Sequence, residues 1–87
     1  MKGGSGNDTI LGAEDVDTIT AGPGDDMVLA NGGNDYIHGN TGDDLLAGEH
    51  GDDVIKGGLG DDIIYGGDGV DTISGGMHDD TIDGGKG

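Results

Sequence analysis

Nine aspartates stand at a strict nine-residue spacing: Asp8, Asp17, Asp26, Asp35, Asp44, Asp53, Asp62, Asp71 and Asp80. A carboxylate repeated at one phase, among glycines whose only polar atoms are backbone, offers hard oxygen donors and nothing softer. Such a donor set suits calcium, which takes six to eight oxygens at roughly 2.3–2.6 Å; magnesium demands stricter octahedral geometry and releases water reluctantly. Zinc or copper would ask for His or Cys. The chain has no Cys, and His38, His50 and His78 occupy three different phases of the spacing, so they read as surface residues. The doublets Asp25-Asp26, Asp43-Asp44, Asp52-Asp53, Asp61-Asp62 and Asp79-Asp80 have the look of acid–base pairs. Five recurrences at fixed phase mark a structural role instead, in which the extra Asp raises the local negative potential and speeds cation capture. An EF-hand loop needs a Glu six residues after its Gly, and Glu14 and Glu49 are the only glutamates. No nucleophile triad is apparent. The chain reads as a non-enzyme.

Composition makes the cation a necessity. The 87 residues include 23 Gly, 19 acidic side chains and three Lys, giving a net charge of −16. Only 30% are hydrophobic, with two Tyr and no Phe or Trp. Such a balance ordinarily leaves a chain disordered, so folding requires something to neutralise the acid. Three scattered lysines cannot track a phosphate backbone or hold an anionic membrane. No apolar run approaches the ~20 residues of a membrane-spanning helix, no cleaved signal peptide is visible, and disulfides are excluded. Glycine does not recur every third residue, which excludes collagen.

The elements that must position the aspartates follow from the period. From Gly3 to Asp83 the chain divides into nine copies without insertion or deletion, among them GGSGNDTIL, GNTGDDLLA, GEHGDDVIK and GGLGDDIIY. Gly84–Gly87 begin a tenth. Position six is always Asp, and position eight always aliphatic: Ile10, Ile19, Val28, Ile37, Leu46, Ile55, Ile64, Ile73 and Ile82. Glycine-rich positions one to six predict a turn; positions seven to nine, such as Thr9-Ile10-Leu11, predict a short strand with its middle residue facing inward.

This pattern resembles the repeats-in-toxin (RTX) nonapeptide G-G-x-G-x-D-x-U-x, a calcium-binding repeat, over residues 3–83. The resemblance implies an all-β fold, a parallel β-roll (a right-handed β-solenoid) of nine repeats, with calcium in the turns between two facing sheets. Two copies would make one coil, and the nine aliphatics would fill the space between the sheets. Turns of copies n and n+2 would stack, with Asp8, Asp26, Asp44, Asp62 and Asp80 along one side and Asp17, Asp35, Asp53 and Asp71 along the other. That allows up to about seven calcium ions, +14 against −16. The resemblance further implies backbone carbonyl ligands, here Gly39, Thr41, Gly48, His50, Gly57, Gly58, Leu59, Gly60, Gly67 and Gly69. So thin a core cannot balance chain entropy alone, so metal binding and folding should be one equilibrium.

Departures from the motif set the expected ranking of sites. Copy two carries Ala13, Asp15 and Val16, and copy nine has His78 at position four. Ala21 and Ala30 replace the first glycine, while Asn31, Asn40 and Glu49 replace the second. Residues 39–74 should therefore hold calcium best.

Outward positions differ by sheet. Odd copies present Met27, Leu29, Leu45, Ile63 and Tyr65, an apolar face suited to a neighbouring domain or a second copy; even copies are mostly polar. Ordinary β-propensity explains that face equally well. The resemblance implies a module of a secreted bacterial protein, folding outside the cell in calcium after type I secretion. An accessory module of an extracellular protease or polysaccharide epimerase is the alternative. An ice-binding or adhesive face would need a regular Thr array, which position three lacks. Ending in mid-copy without a cap, the sequence is expected to be a piece of a longer array.

Overall fold

The computed structural model describes residues 1–85. Strands occupy positions seven to nine of every copy: β1 (Thr9–Leu11), β2 (Thr18–Thr20), β3 (Met27–Leu29), β4 (Tyr36–His38), β5 (Leu45–Ala47), β6 (Val54–Lys56), β7 (Ile63–Tyr65), β8 (Thr72–Ser74) and β9 (Thr81–Asp83). Each pairs in parallel with the strand two copies on, giving a five-stranded sheet β1-β3-β5-β7-β9 and a four-stranded sheet β2-β4-β6-β8. Register is residue for residue, as in Ile37↔Ile55 and Leu46↔Ile64, so the aliphatic column stays in phase. The all-β parallel roll implied by the family resemblance is the fold observed, and its extents are 29 × 24 × 13 Å.

Three-residue strands are stable here because every coil repeats the same bonds. Carbonyls of positions six and nine accept N–H groups of the adjacent coil, as in Leu45 N–H to Asp26 O at 2.8 Å and Gly57 N–H to Ser74 O at 2.8 Å. The inward residues Ile19, Val28, Ile37, Leu46, Ile55 and Ile64 are fully buried between the sheets. Ala21 and Ala30 extend that core toward the turns. The expected nine-member column is shorter than its sequence: Ile10 and Ile73 are only half-buried, and Ile82 in β9 is 48% exposed. An end coil has a neighbour on one side only, which no repeat pattern reveals. On the five-stranded sheet Met27, Ile63 and Tyr65 are exposed, whereas Leu29 and Leu45 are half-buried. On the other sheet the Lys56 ammonium lies 5.8 Å from the Tyr36 ring centroid, within cation–π range. Of the tenth copy, Lys86 and Gly87 lie outside the described residues.

Candidate metal centre

Each turn delivers its position-six aspartate to the inner edge of the roll, where the coils stack the side chains in two columns. Oδ1 of each of the seven position-six aspartates from Asp26 to Asp80 accepts the backbone N–H of the aspartate one coil earlier. In the first column Asp8, Asp26, Asp44 and Asp62 donate to Asp26, Asp44, Asp62 and Asp80 at 2.7–2.9 Å. In the second, Asp17, Asp35 and Asp53 donate to Asp35, Asp53 and Asp71 at 2.7–2.8 Å. All nine sequence-nominated aspartates are thus brought together, partitioned by parity as expected.

The other oxygen decides what the columns can do. Oδ2 of Asp8, Asp26, Asp35, Asp44, Asp53, Asp62 and Asp71 is buried with no hydrogen-bond partner. An unsatisfied buried carboxylate oxygen costs on the order of 1–3 kcal/mol or more, and seven of them in one small fold demand a counter-charge. These oxygens converge with carbonyls of the next coil. A methyl built on Gly39 would lie 2.6 Å from Asp44 Oδ2 and 2.7 Å from Gly57 O. On Gly57 it would lie 2.5 Å from Asp62 Oδ2 and 2.8 Å from Gly75 O. Gly66 repeats the arrangement with Asp71 and Gly84. Lone pairs therefore face one another across the turn with no donor between them. Hard, charged oxygens without a proton donor fit a calcium ion.

The nominated backbone ligands mostly share this freedom. Among the described residues, the carbonyls of Gly39, Thr41, Gly48, His50, Gly57, Leu59, Gly60, Gly67 and Gly69 accept no coil-to-coil backbone hydrogen bond. Gly58 differs: its carbonyl accepts Met77 N–H at 3.2 Å, as position-two carbonyls of Asn31, Asn40 and Glu49 accept from His50, Leu59 and Asp68. Among the described residues no three His, Asp, Glu or Cys side chains cluster to hold a metal. A site here would therefore draw on backbone oxygens as well as carboxylates.

Burial pushes the mid-column carboxyls up: Asp44 to about 7 and Asp53 to about 6, with Asp35 and Asp62 also raised. Desolvation is the main cause; the backbone N–H bond opposes it, and neighbouring aspartates add to it, Asp62, Asp26 and Asp25 in the case of Asp44. The folded metal-free chain consequently binds more protons than the unfolded chain between the ordinary aspartate range and about pH 7. Its stability is fullest in acid and is lost as pH rises through the folded values. Acidifying the chelated protein from about pH 8 to about pH 5 should increase its far-ultraviolet β signal, and the calcium midpoint should rise over the same window because protons compete for Oδ2. A metal-free signal that is flat or falls on acidification would contradict this assignment.

Two features escaped the sequence. The position-five residues form a second series of bonds running the opposite way: Asp25, Asp43, Asp61 and Asp79 N–H donate to Oδ1 of Asn7, Asp25, Asp43 and Asp61 at 2.8–3.1 Å. On the other side Asp52 and Val70 donate to Asn34 and Asp52 at 2.8 Å. The doublet Asp is thus a coil-to-coil fastener, and Asn serves as well as Asp, which the interchange of Asn7 and Asn34 with Asp could have signalled. Glu49, noted only as a replaced glycine, places a buried, unpartnered Oε2 in the turn between β5 and β6. His50 does find a partner, its Nδ1 lying 3.3 Å from Asp68 Oδ2 at an exposed pair.

Turn geometry separates the copies. Positions two and four take positive φ in the other copies, including at Asn31, Asn40, Glu49 and His78, but neither Ala13 nor Asp15 of copy two does. Among the described residues it is in that turn alone that a position-two N–H, Ala13, donates to Oδ2 of its own copy's aspartate, Asp17, at 2.8 Å. Copy nine, also expected to depart, keeps the turn, with His78 at φ 83°.

Compared with known proteins, the chain matches the family model described as the RTX calcium-binding nonapeptide repeat (4 copies) over residues 1–28, 29–64 and 56–87. No curated protein and no solved structure matches it.

Proposed function

The chain belongs to the RTX calcium-binding nonapeptide repeat family, and on that premise we propose that it is a calcium-responsive folding module of a secreted bacterial protein. Unfolded where calcium is scarce, it would fold outside the cell as the ions fill its turns. The observation that carries this reading is the set of seven buried aspartate oxygens without partners, which only an added positive charge would satisfy. Asp8, Asp26, Asp35, Asp44, Asp53, Asp62 and Asp71 would supply the carboxylates. Carbonyls of Gly39, Gly48 and Gly57 would join them from the position-one side. Calcium would contribute charge neutralisation and coil-to-coil crosslinking, so that binding energy becomes folding energy. The repeat itself is structural rather than catalytic.

Calcium titration followed by far-ultraviolet circular dichroism, with magnesium as control, tests the proposal. A cooperative coil-to-β transition in calcium and none in equal magnesium is expected. A chain already fully β-structured in chelator at neutral pH would make the roll a static scaffold and sink the switch.

A second reading, a non-catalytic accessory module of an extracellular protease or polysaccharide epimerase, is favoured by the exposed Met27, Ile63 and Tyr65 of the five-stranded sheet. Those side chains would then pack on a neighbouring domain.

A further inference from the structure

The stack pairs nine copies in seven layers, four along the five-stranded sheet and three along the other. One layer, between copies two and four, is chemically unlike the rest. Its carboxylate is Asp17, and Asp17 Oδ2 is not an orphan: it accepts Ala13 N–H at 2.8 Å. Of its two position-one carbonyls, Ala30 O faces Asp17 Oδ2 and Gly12 O accepts a second protein donor, the Asn31 side-chain Nδ2, at 2.7 Å. A carbonyl can bond only the nitrogen side of an amide, so the direction of this bond is fixed by chemistry. The aspartate oxygen that elsewhere faces a coil-to-coil carbonyl without a donor, here Asp17 Oδ2 opposite Ala30 O, is therefore satisfied from within the chain, and so is Gly12 O.

The backbone agrees. Ala13 and Asp15 are absent from the positive-φ positions that shape the other turns, so copy two does not present its carbonyls in the shared conformation. The substitutions act together: Ala at position two swings its N–H onto Asp17, and Asn at position two of copy four reaches back to Gly12. Without a cation in this layer, Asp17 Oδ2 and Gly12 O each still hold a hydrogen bond, so neither is left unsatisfied.

We infer that the layer between copies two and four is a clamp closed by Ala13 N–H and the Asn31 amide, and that it takes no calcium. This rests on the calcium reading above for the remaining layers. The roll would then be divided: the five-stranded sheet has calcium at every paired layer, while the four-stranded sheet begins with a metal-free step and takes calcium from Asp35 onward.

Three variants test it, with bound ions counted by native mass spectrometry and the calcium midpoint read by circular dichroism. Asp17→Asn retains an acceptor for Ala13 N–H and should leave the ion count unchanged, with a midpoint shift under about twofold. Asp53→Asn, in the same column, should lower the count and raise the midpoint at least about tenfold. The combined variant Ala13→Gly, Asp15→Gly, Asn31→Gly should gain one ion over the parent chain. An Asp17→Asn chain that loses an ion as Asp53→Asn does, or a combined variant that folds and gains none, overturns the clamp. A parent chain that binds no calcium overturns the calcium reading and the clamp with it, and is seen before any variant is made.

Discussion

Asp44→Asn should move the two forms of the protein in opposite directions, stabilising the metal-free roll and weakening the calcium-loaded one. The side chain is 2% exposed, its Oδ1 accepts Asp26 N–H while its own N–H donates to Asp62 Oδ1, and its Oδ2 has no partner. Desolvation and the charges of Asp62, Asp26 and Asp25 hold its carboxyl at about 7. At neutral pH without metal, the ionised form is therefore an unfavourable resident. Asn is isosteric, keeps an acceptor for Asp26 N–H, and removes the charge. Less denaturant sensitivity, or more β signal, is expected in chelator. In calcium the same change deletes a charged ligand, and the midpoint should rise at least about tenfold, equivalent to about 1.4 kcal/mol. Measuring urea unfolding with and without calcium on the same preparation gives both signs. Equal destabilisation in both conditions would reduce Asp44 to a packing residue, and no effect in calcium would remove it from the metal-binding set.

The period made most of this architecture legible because it states the same physical demand nine times over. One aliphatic per copy at position eight, flanked by β-prone residues, places a strand wherever Ile37 or Ile55 recurs, and the observed strands fall on those residues. Parity then sorted Asp44 from Asp53 into separate columns. Properties of the ends and of individual copies were not legible. Ile82 obeys the motif as well as Ile55 does, yet it is exposed because among the described residues no coil covers it. Ala21 and Ala30 looked like defects in a glycine column, whereas their methyls are fully buried and widen the core. The first Asp of each doublet looked like surplus charge. Its role as a fastener depends on an oxygen meeting an N–H eighteen residues away, as in Asp43 N–H to Asp25 Oδ1 at 2.9 Å, and pattern alone carries no such direction. Copy two was marked out by composition, but only coordinates reveal that Asp17 has found a donor.

Gly60→Ala should prevent the calcium-induced transition at concentrations that fold the parent chain, whereas Gly39→Ala should only delay it. Interior position-four glycines sit at wide positive φ, 107° at Gly42, 113° at Gly51, 115° at Gly60 and 110° at Gly69. That region lies beyond the left-handed well near +57° that other residues can enter. His78 at the same position settles at φ 83° in copy nine, where no further described coil continues the stack above it. In the interior, coils on both sides hold the turn, so a residue at Gly60 cannot shift in this way, and its Cβ would overlap the Gly42 carbonyl carbon at 2.7 Å and the Asp43 Oδ1 at 3.0 Å. Left-handed strain alone costs about 1–2 kcal/mol; overlap with backbone also pries apart two coils and the bonds that join them. Gly39 is at position one, where φ is not positive, and the protein already accommodates Ala21 and Ala30 there, both fully buried. A methyl on Gly39 presses instead on Asp44 Oδ2 and Gly57 O, the oxygens assigned to the cation, so its cost should appear in calcium affinity rather than in folding. The two substitutions add the same atom to the same residue type. Parent-like transitions for Gly60→Ala, with failure confined to Gly39→Ala, would invert the assignment of conformational and ligand roles within the repeat.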